Sequence, residues 1–400
     1  MWSLTEEQID KICTMTAPVF VAGDMHLKRR TWTNWPELSG DAYQVIEHME
    51  QLRNFMLNKG KPISDIILCG DTFDSNMVSS ADIYKFSQLT KVPVRYIRGN
   101  HDSIQPSYIE AVTNTFELSA ELTPIADGAA YICGLPYIAS RSELLTALEN
   151  ISTQIKLQDI KEPIYIVMHQ AFEHMIPIEG AFQLSSSDVE ALFDRKVYIL
   201  VGHIHKLDCR PLSGALSGGY ILSTSSPYPT AWENIPQFHG VHILDLASGE
   251  YVSVNFHIRD YITLEPSEAV YLIDMLQRIS DCFIEGCLPT AVRITVPENM
   301  TVDAAKTLVA QHPNILARLG RSTSESAPVN HSSRPDSTAY SILDAVKEDL
   351  QNSGSAQWDQ LFLLATNIIE ADDPADYLGK LISSWIAEET TDDSTDENNA

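Results

Sequence analysis

The sequence predicts an α/β fold, because short buried strands alternate with amphipathic helical segments along the chain. Five apolar runs have the length of a buried strand, and a polar side chain of the kind that binds metal ions follows each run. These runs cover residues 18–23, 66–70, 94–99, 164–168 and 197–202. Residues 42–56 and 140–157 carry apolar side chains at helical spacing. Since strands of an open α/β sheet deliver ligands to their carboxyl edge, we expect these polar residues to meet at one edge.

The side chains that follow the five runs have the chemistry of a metal centre. They are Asp24, His26, Asp71, Asn100, His169, His203 and His205. Carboxylates mixed with imidazoles suit manganese, iron or zinc better than calcium or magnesium, and a set without cysteine does not suit structural zinc. Asp71 stands alone at its strand end, so it is the natural bridging ligand. Two ions about 3.5–4 Å apart can deprotonate a bridging water and hold phosphate oxygens, which predicts hydrolysis of a phosphoester.

Residues 1–257 are predicted to form one large domain, which is completed by strands after the last histidine pair. These strands are expected at residues 220–224, 240–246 and 251–256. Residues 258–320 predict a small second α/β domain. Its expected elements are helices at 269–284 and 302–311 and strands at 291–296 and 315–319, with Thr301 as the N-cap of the later helix.

The C-terminal part of the chain differs in composition from the rest. Residues 321–338 are rich in serine, proline and asparagine, and they predict a flexible linker. Residues 339–386 predict amphipathic helices, and residues 387–400 predict a disordered acidic tail. Helices beyond a linker bury their apolar faces either on a partner or on their own chain, and the sequence leaves both alternatives open.

Charge and composition restrict the classes of function. The net charge of −27 opposes a general attraction to nucleic acid, although residues 370–400 hold ten of the acidic residues and only one base. No run approaches the roughly 18 apolar residues of a spanning helix, and the N-terminus is polar and acidic. The six cysteines lack zinc or redox spacing, which predicts reduced thiols. We therefore expect a cytoplasmic protein with no membrane partner.

Taken in order, the five motifs resemble those of the calcineurin-like metallophosphoesterase superfamily. The motifs are Gly23-Asp24-Met25-His26, Gly70-Asp71-Thr72-Phe73-Asp74, Gly99-Asn100-His101-Asp102, Met168-His169-Gln170 and Gly202-His203-Ile204-His205. The resemblance implies a metallophosphoesterase β-sandwich flanked by helices. It implies that one metal ion is bound by Asp24, His26, Asp71 and His205. It implies that a second metal ion is bound by Asp71, Asn100, His169 and His203.

The resemblance also gives roles to residues beside the ligands. His101 is implied to be a catalytic histidine that binds no metal and stabilises the transition state or protonates the leaving oxygen. Asp102 would orient His101, or else cap the next helix. Asp74 is interpreted as a supporting residue or a cap. The other histidines singled out, at positions 48, 174, 239, 242 and 257, are interpreted as structural or surface residues.

Details of the motifs are similar to the nuclease subunit of the SbcC–SbcD type, which processes DNA ends. The chain has Asp74-Ser75-Asn76 where protein phosphatases of the superfamily carry Asp-Arg-Gly. This similarity implies an exonuclease and endonuclease with two divalent ions, expected to be Mn²⁺, and DNA as the substrate. It implies a capping domain at 258–320 and C-terminal helices that dock on an SMC-like coiled-coil ATPase of the SbcC type. The acidity of the chain and Gly23, where the family more often has serine or alanine, depart from the pattern.

Three alternatives remain open from the sequence. Residues 28–35 contain three bases and two tryptophans, and they either contact DNA or form a solvated loop. A metallophosphatase or small-molecule phosphodiesterase would carry the same binuclear site. The third alternative is a scaffold that keeps the fold but acts only by binding. Such a scaffold would not need the complete ligand set and His101, so their presence argues against it. The sequence does not decide whether the protein forms a homodimer.

Overall fold

The computed structural model describes residues 2–27, 41–74, 78–102, 108–173, 183–229, 238–285 and 287–321. These residues belong to one compact unit that spans Met1–Ser322. Several predictions lie outside the described residues: the linker beyond Arg321, the helices at 339–386, the acidic tail, the 28–35 segment and His174.

The described part of the chain forms the following elements. The strands are β1 (Pro18–Ala22), β2 (Ile66–Leu68), β3 (Val94–Tyr96), β4 (Thr115–Glu117), β5 (Thr123–Ile125), β6 (Ala130–Leu135), β7 (Ile164–His169), β8 (Tyr198–Gly202), β9 (Leu207–Pro211), β10 (Tyr220–Thr224), β11 (Gly240–Asp245), β12 (Tyr251–Asn255), β13 (Tyr261–Leu264), β14 (Thr290–Val296) and β15 (Ile315–Arg321). The α-helices are α1 (Glu6–Thr14), α2 (Asp41–Asn58), α3 (Ser80–Ser87), α4 (Arg141–Leu157), α5 (Ser186–Leu192), α6 (Ala269–Asp281) and α7 (Val302–Val309). Short 3₁₀ turns cover Leu89–Lys91, Tyr108–Ala111 and Gly214–Leu216.

The strands form two large mixed sheets and one small one. The first sheet has the order β12-β11-β1-β2-β3-β4, and the second has the order β5-β6-β7-β8-β10-β9. The expectation that all five ligand-tipped strands share one edge of one sheet is therefore wrong, since β1 to β3 lie in the first sheet and β7 and β8 in the second. Buried strands have apolar side chains on both faces, so their composition does not reveal which sheet contains them.

The two large sheets pack face to face, and helices cover their outer faces. On β1, Val19 and Val21 point into the core between the sheets, where they join Val167 and Leu200 of the second sheet. Side chains of α2 pack on the outer face of the first sheet, and side chains of α4 and α5 pack on the outer face of the second. The predicted β-sandwich flanked by helices is confirmed.

Three tyrosines on adjacent strands of the second sheet hold the turn between β11 and β12. Tyr165, Tyr198 and Tyr220 face one another in the register of β7, β8 and β10. Their hydroxyls donate to the carbonyl oxygens of Leu246 (2.9 Å), Ser248 (3.0 Å) and Gly249 (2.8 Å). The buried polar groups of this turn are thereby satisfied, and the two sheets are tied together at that point.

The third sheet, β13-β14-β15, is entirely parallel and packs with α6 and α7 around an apolar cluster of its own. The helices and strands predicted between 269 and 319 are present, whereas β13 was not predicted. Arg259, just before β13, donates to a carboxylate oxygen of Asp41 at the start of α2 over 3.0 Å. The boundary of a separate domain at residue 258 stays a prediction.

Within the residues that the structure describes, every helix is too short or too polar to cross a bilayer.

Candidate metal centre

Seven side chains from distant parts of the sequence meet at one end of the sandwich. They follow β1, β2, β3 and β8 or end β7, and these strands run parallel within their sheets, so their carboxyl ends lie together. Three groups of potential ligand atoms form there: Asp24, His26 and His205; His26, Asp71 and His101; and Asp71, His169 and His203. Asn100 joins the last group through its side-chain oxygen. All seven residues predicted from the sequence are therefore brought together.

The first half of the centre contains Asp24, His26 and His205, with Asp71 at its border. The Nε2 atoms of His26 and His205 are 3.0 Å apart. His205 Nε2 lies 3.4 Å from Asp24 Oδ1, and His26 Nε2 lies 3.8 Å from Asp71 Oδ2. Four donor atoms thus surround one point, which is the arrangement that a cation with oxygen and nitrogen ligands requires.

The second half of the centre uses the same oxygen of Asp71. His169 Nε2 lies 3.3 Å from Asp71 Oδ2 and 3.0 Å from Asn100 Oδ1. Asn100 Oδ1 lies 3.1 Å from Nδ1 of His203. The other carboxylate oxygen of Asp71 accepts the backbone N–H of His101 at 2.9 Å, which fixes the carboxylate. Asp71 Oδ2 consequently has His26 of the first half on one side and His169 of the second half on the other.

The donor set fits divalent cations. Nδ1 of His169 is 2.8 Å from the carbonyl oxygen of Cys69, and because a carbonyl only accepts, Nδ1 carries the proton. The lone pair of neutral His169 is then on Nε2, facing the oxygens of Asp71 and Asn100. Asp24 and Asp71 are almost fully buried, yet among the described residues neither has a lysine or arginine partner. Buried carboxylates need a positive partner, and bound cations meet that need.

The pKa values of Asp71 and His169 also indicate that the centre favours positive charge. Burial disfavours charged His169, but the hydrogen bond and charge of Asp71 outweigh burial and raise the pKa of His169 to about 9. Burial also opposes ionisation of Asp71, but His169 and His26 outweigh it, and the pKa of Asp71 is lowered. Burial lowers the pKa of His26 and of His203 to about 4, so both rings are neutral and suited to ligation.

Five of the seven residues have a left-handed backbone. The φ angles are +50° at Asp24, +39° at His26, +48° at Asp71, +89° at His203 and +48° at His205. For a residue other than glycine, this backbone conformation costs about 1–3 kcal/mol of conformational free energy. It therefore persists only where the surrounding structure imposes it. The strain at the strand ends turns these side chains toward one point.

Two glycines allow the close approach of the ligand loops. Gly70 has φ of +90°, and a Cβ atom there would lie 2.3 Å from Nδ1 of His169. A Cβ atom at Gly23 would lie 2.3 Å from Oγ1 of Thr224. The hydroxyl of buried Thr224 thus occupies the space that a side chain at position 23 would take, which explains this departure from the family pattern.

Hydroxyl groups after β10 support the strained residues, although no sequence motif marked them as part of the site. Ser226 donates to the carbonyl oxygen of Asp24 (3.0 Å), Tyr228 to that of His26 (2.9 Å) and Ser225 to that of His205 (3.1 Å). Strand β10 is parallel to β8, so its carboxyl end lies at the same end of the sandwich. Applying the strand-end rule to residues 220–224 would have placed these hydroxyls beside the site.

His101 lies at the exposed edge of the centre, and its surroundings differ from the expectation. Its Nδ1 is 2.8 Å from the carbonyl oxygen of Asp74, whose carboxylate lies 3.6 Å from Nδ1 of His26. The expected contact of the Asp102 carboxylate with His101 is wrong. That carboxylate accepts the backbone N–H groups of Thr72 (2.9 Å), Phe73 (3.1 Å) and Gly99 (3.3 Å), so it joins the two ligand loops.

The histidines interpreted as structural make structural contacts. His242 bonds to the Ser253 hydroxyl (2.9 Å) and the Thr224 carbonyl (3.1 Å), and His239 bonds to the Ser226 carbonyl (3.0 Å). These bonds hold the segment after β10 that supports the site.

Comparison with known proteins agrees with this geometry. Residues 17–207, which include all seven residues of the centre, match the family model of the calcineurin-like phosphoesterases. This part of the chain is a calcineurin-like phosphoesterase domain, which confirms the resemblance noted in the sequence and indicates a metal-dependent hydrolase.

Two curated relatives carry the description DNA double-strand break repair protein Mre11. The one from Sulfolobus acidocaldarius is 25% identical over 262 residues, covering 60% of this chain and 64% of its own length. The one from Sulfurisphaera tokodaii is 25% identical over 195 residues, covering 46% and 47%. The chain thus matches less than two thirds of the length of these relatives.

Two solved structures are similar to part of the chain. A dimetal phosphatase from Danio rerio has a TM-score of 0.37 and 10% identity, covering 58% of this chain and 93% of its own. A protein from Thermus thermophilus has a TM-score of 0.34 and 14% identity, covering 60% and 99%.

Proposed function

We propose that this protein is a two-metal DNA nuclease that cuts phosphodiester bonds as an exonuclease and endonuclease. The observation that carries the proposal is the centre itself, in which Asp71 Oδ2 faces ligand sets on both sides. Weak similarity to the two Mre11 proteins favours DNA over other phosphoesters. The first ion would be held by Asp24, His26, Asp71 and His205. The second ion would be held by Asp71, Asn100, His169 and His203.

The protein's own residues would bind the two ions, orient the phosphodiester and protonate the leaving oxygen. Two divalent ions, which we propose to be Mn²⁺, would supply Lewis-acid polarisation of the phosphate and activation of water. His101 holds a proton on Nδ1 by donating to the Asp74 carbonyl, so Nε2 is the nitrogen left to face the substrate. As an imidazolium it would donate from Nε2 to the sugar oxygen that leaves phosphorus. The exposure of His101 is suited to this role, because a DNA strand has to reach it.

Substrate comparison with a matched variant tests the proposal. The full-length protein with Mn²⁺ should degrade linear duplex DNA. His101→Ala should bind Mn²⁺ normally but cleave about 10²–10⁴-fold more slowly, because proton transfer is lost while the ligands remain. His257→Gln, an exposed histidine outside the ligand set and its supporting hydrogen bonds, is the control and should cleave normally. Cleavage by His101→Ala at the wild-type rate would refute the role of His101, and absence of Mn²⁺-dependent DNA cleavage would refute the nuclease.

The chemistry of the centre also suits a metallophosphatase or small-molecule phosphodiesterase, and the net charge of −27 favours this alternative over a polyanionic substrate. Hydrolysis of p-nitrophenyl phosphate in preference to DNA would support it. The same assay, run with both substrates, therefore decides between the two candidates.

We also propose an SMC-like ATPase partner of the SbcC type, bound through the predicted C-terminal helices. A chain that ends before Thr338 should lose the partner and keep Mn²⁺-dependent DNA cleavage. Co-purification of the shortened chain with the ATPase would contradict this docking site. A homodimer is compatible with the proposal and is tested by the mass of the purified protein in solution.

A further inference from the structure

We propose that Tyr137 contacts the nucleoside next to the scissile phosphate and makes the centre selective for nucleotide esters over simple phosphodiesters. The inference rests on the proposed phosphodiesterase function and adds a residue outside the metal-binding motifs. Tyr137 follows β6, whose last residue Leu135 pairs with Met168 beside His169. It therefore lies at the same end of the sandwich as the metal centre.

The backbone around Tyr137 is fixed by the loops that carry the ligands. Its N–H donates to the carbonyl oxygen of Arg98 (2.9 Å), two residues before Asn100. The side-chain amide of buried Gln170, which follows His169, donates to the carbonyl oxygen of Ile138 (2.8 Å). Tyr137 is thus held between the two loops that deliver ligands to the second ion, and its position relative to the centre is defined.

The ring of Tyr137 lies against the second half of the centre. Its centroid is 5.5 Å from the ring of His203 and 6.3 Å from the ring of His169. The residue is half-buried, so it packs on the histidines and is still accessible to solvent. Within the described residues, the other aromatic rings in this half of the centre are the histidines themselves.

An accessible aromatic residue beside a phosphate-binding centre can contact the group attached to the bound phosphate. A nucleobase or sugar attached to the bound phosphate can pack on the ring, and aromatic stacking of a base contributes substantially to single-strand binding without reading sequence. This apolar contact does not depend on the sign of the protein's charge, which matters in a chain of net charge −27. A purely structural Tyr137 would support His203 and would affect all substrates equally.

Two esters with the same leaving group separate these roles. Full-length protein with Mn²⁺ is assayed with thymidine 5′-p-nitrophenyl phosphate and with methyl p-nitrophenyl phosphate. Tyr137→Ala should lower kcat/KM about tenfold for the thymidine ester and less than about twofold for the methyl ester. Tyr137→Phe should keep the selectivity because it keeps the ring. Tyr84→Ala, an exposed tyrosine on α3, is the matched control and should change neither value.

The outcomes are distinct. Equal losses on both esters, or no loss on either, would overturn the role of Tyr137 while leaving the phosphodiesterase intact. If the wild-type protein hydrolyses neither ester, this inference is overturned, and if it also fails to cleave linear duplex DNA with Mn²⁺, the proposed function is overturned with it. Mn²⁺ titration of each variant checks that the centre is preserved. Tyr137→Leu, which keeps the apolar volume, gives the same comparison if the alanine variant does not fold.

Discussion

Buried aspartates in two regions of this protein are neutralised in different ways. At the junction of α2 with the third sheet, Asp41 pairs with Arg259 over 3.0 Å and also accepts the hydroxyl of Tyr261. In the metal centre, Asp24 and Asp71 face histidines. A permanent guanidinium makes the first region a finished structural pair. Histidines can give up their protons, so the second region can exchange protons for metal ions.

The largest expected effect separates the two regions by activity. Asp71→Asn removes the shared anionic oxygen, so Mn²⁺-dependent cleavage should fall more than about a hundredfold, since even residues that merely orient metal ligands contribute 10–100-fold. Exposed Asp303→Asn serves as the control. Cleavage by Asp71→Asn within tenfold of wild type would show that Asp71 is not a bridging ligand.

The next effect separates the regions by stability. Asp41→Asn leaves Arg259 buried beside an uncharged partner, so the free energy of unfolding should fall by roughly 3–5 kcal/mol, with and without Mn²⁺. Urea unfolding of both forms measures it. Replacing the pair together, as Asp41→Leu with Arg259→Met, should recover most of the loss. If the free energy of unfolding fell only in the Mn²⁺-loaded protein, Asp41 would be coupled to the metal centre. The two regions would then not differ in the way described.

Acid sensitivity adds a comparison between His169 in the metal centre, whose pKa is raised by Asp71 despite burial, and the structural residue His242. Burial lowers the pKa of His242 to about 4, below its unfolded value. Its contribution to stability is therefore fully present above pH 6.5 and is lost as the pH falls from 6.5 to about 4. His242→Gln should remove an acid-linked loss on the order of 3 kcal/mol. Identical pH profiles of unfolding for the variant and the wild type would contradict this assignment.

The smallest effect concerns the hydroxyls that support the strained ligands. Tyr228→Phe leaves the carbonyl oxygen of His26 without its donor, which should cost about 1–3 kcal/mol of stability. Mn²⁺ affinity should also fall, because the left-handed backbone of His26 loses support. Calorimetric titration measures the affinity, and Tyr220→Phe, whose hydroxyl bonds to a turn away from the ligands, is the control. Unchanged Mn²⁺ binding by Tyr228→Phe would mean that His26 is held by other contacts.

The sequence predicted the chemistry of the site better than its architecture. Strands followed by Asp24, Asp71 and His169 were recognised because buried apolar runs and polar ends are local patterns. The strand pattern alone placed all five strands in one sheet, and only the family resemblance implied a sandwich, since pairing partners leave no mark on a strand with two buried faces. The role of the Asp74 carbonyl was missed for a similar reason. Every residue has a backbone carbonyl, so only the folded chain shows which one faces His101.

Local helix signals were also present but not all were used. Helix α1 begins with a capping box between Thr5 and Gln8, and α3 begins with one between Ser79 and Asp82. Both helices were left out of the prediction, whereas the cap at Thr301 was predicted and is present. Left-handed φ angles at Asp24 and His203 have no such signature, because the strain is imposed by tertiary contacts.

An anomalous-diffraction map of a Mn²⁺-soaked crystal tests the central claim most directly. Two peaks about 3.5–4 Å apart are expected, one on each side of Asp71 Oδ2, with Asp24 beside the first and Asn100 beside the second. A single peak, or peaks that do not contact Asp71, would contradict the binuclear centre and the hydrolytic mechanism drawn from it.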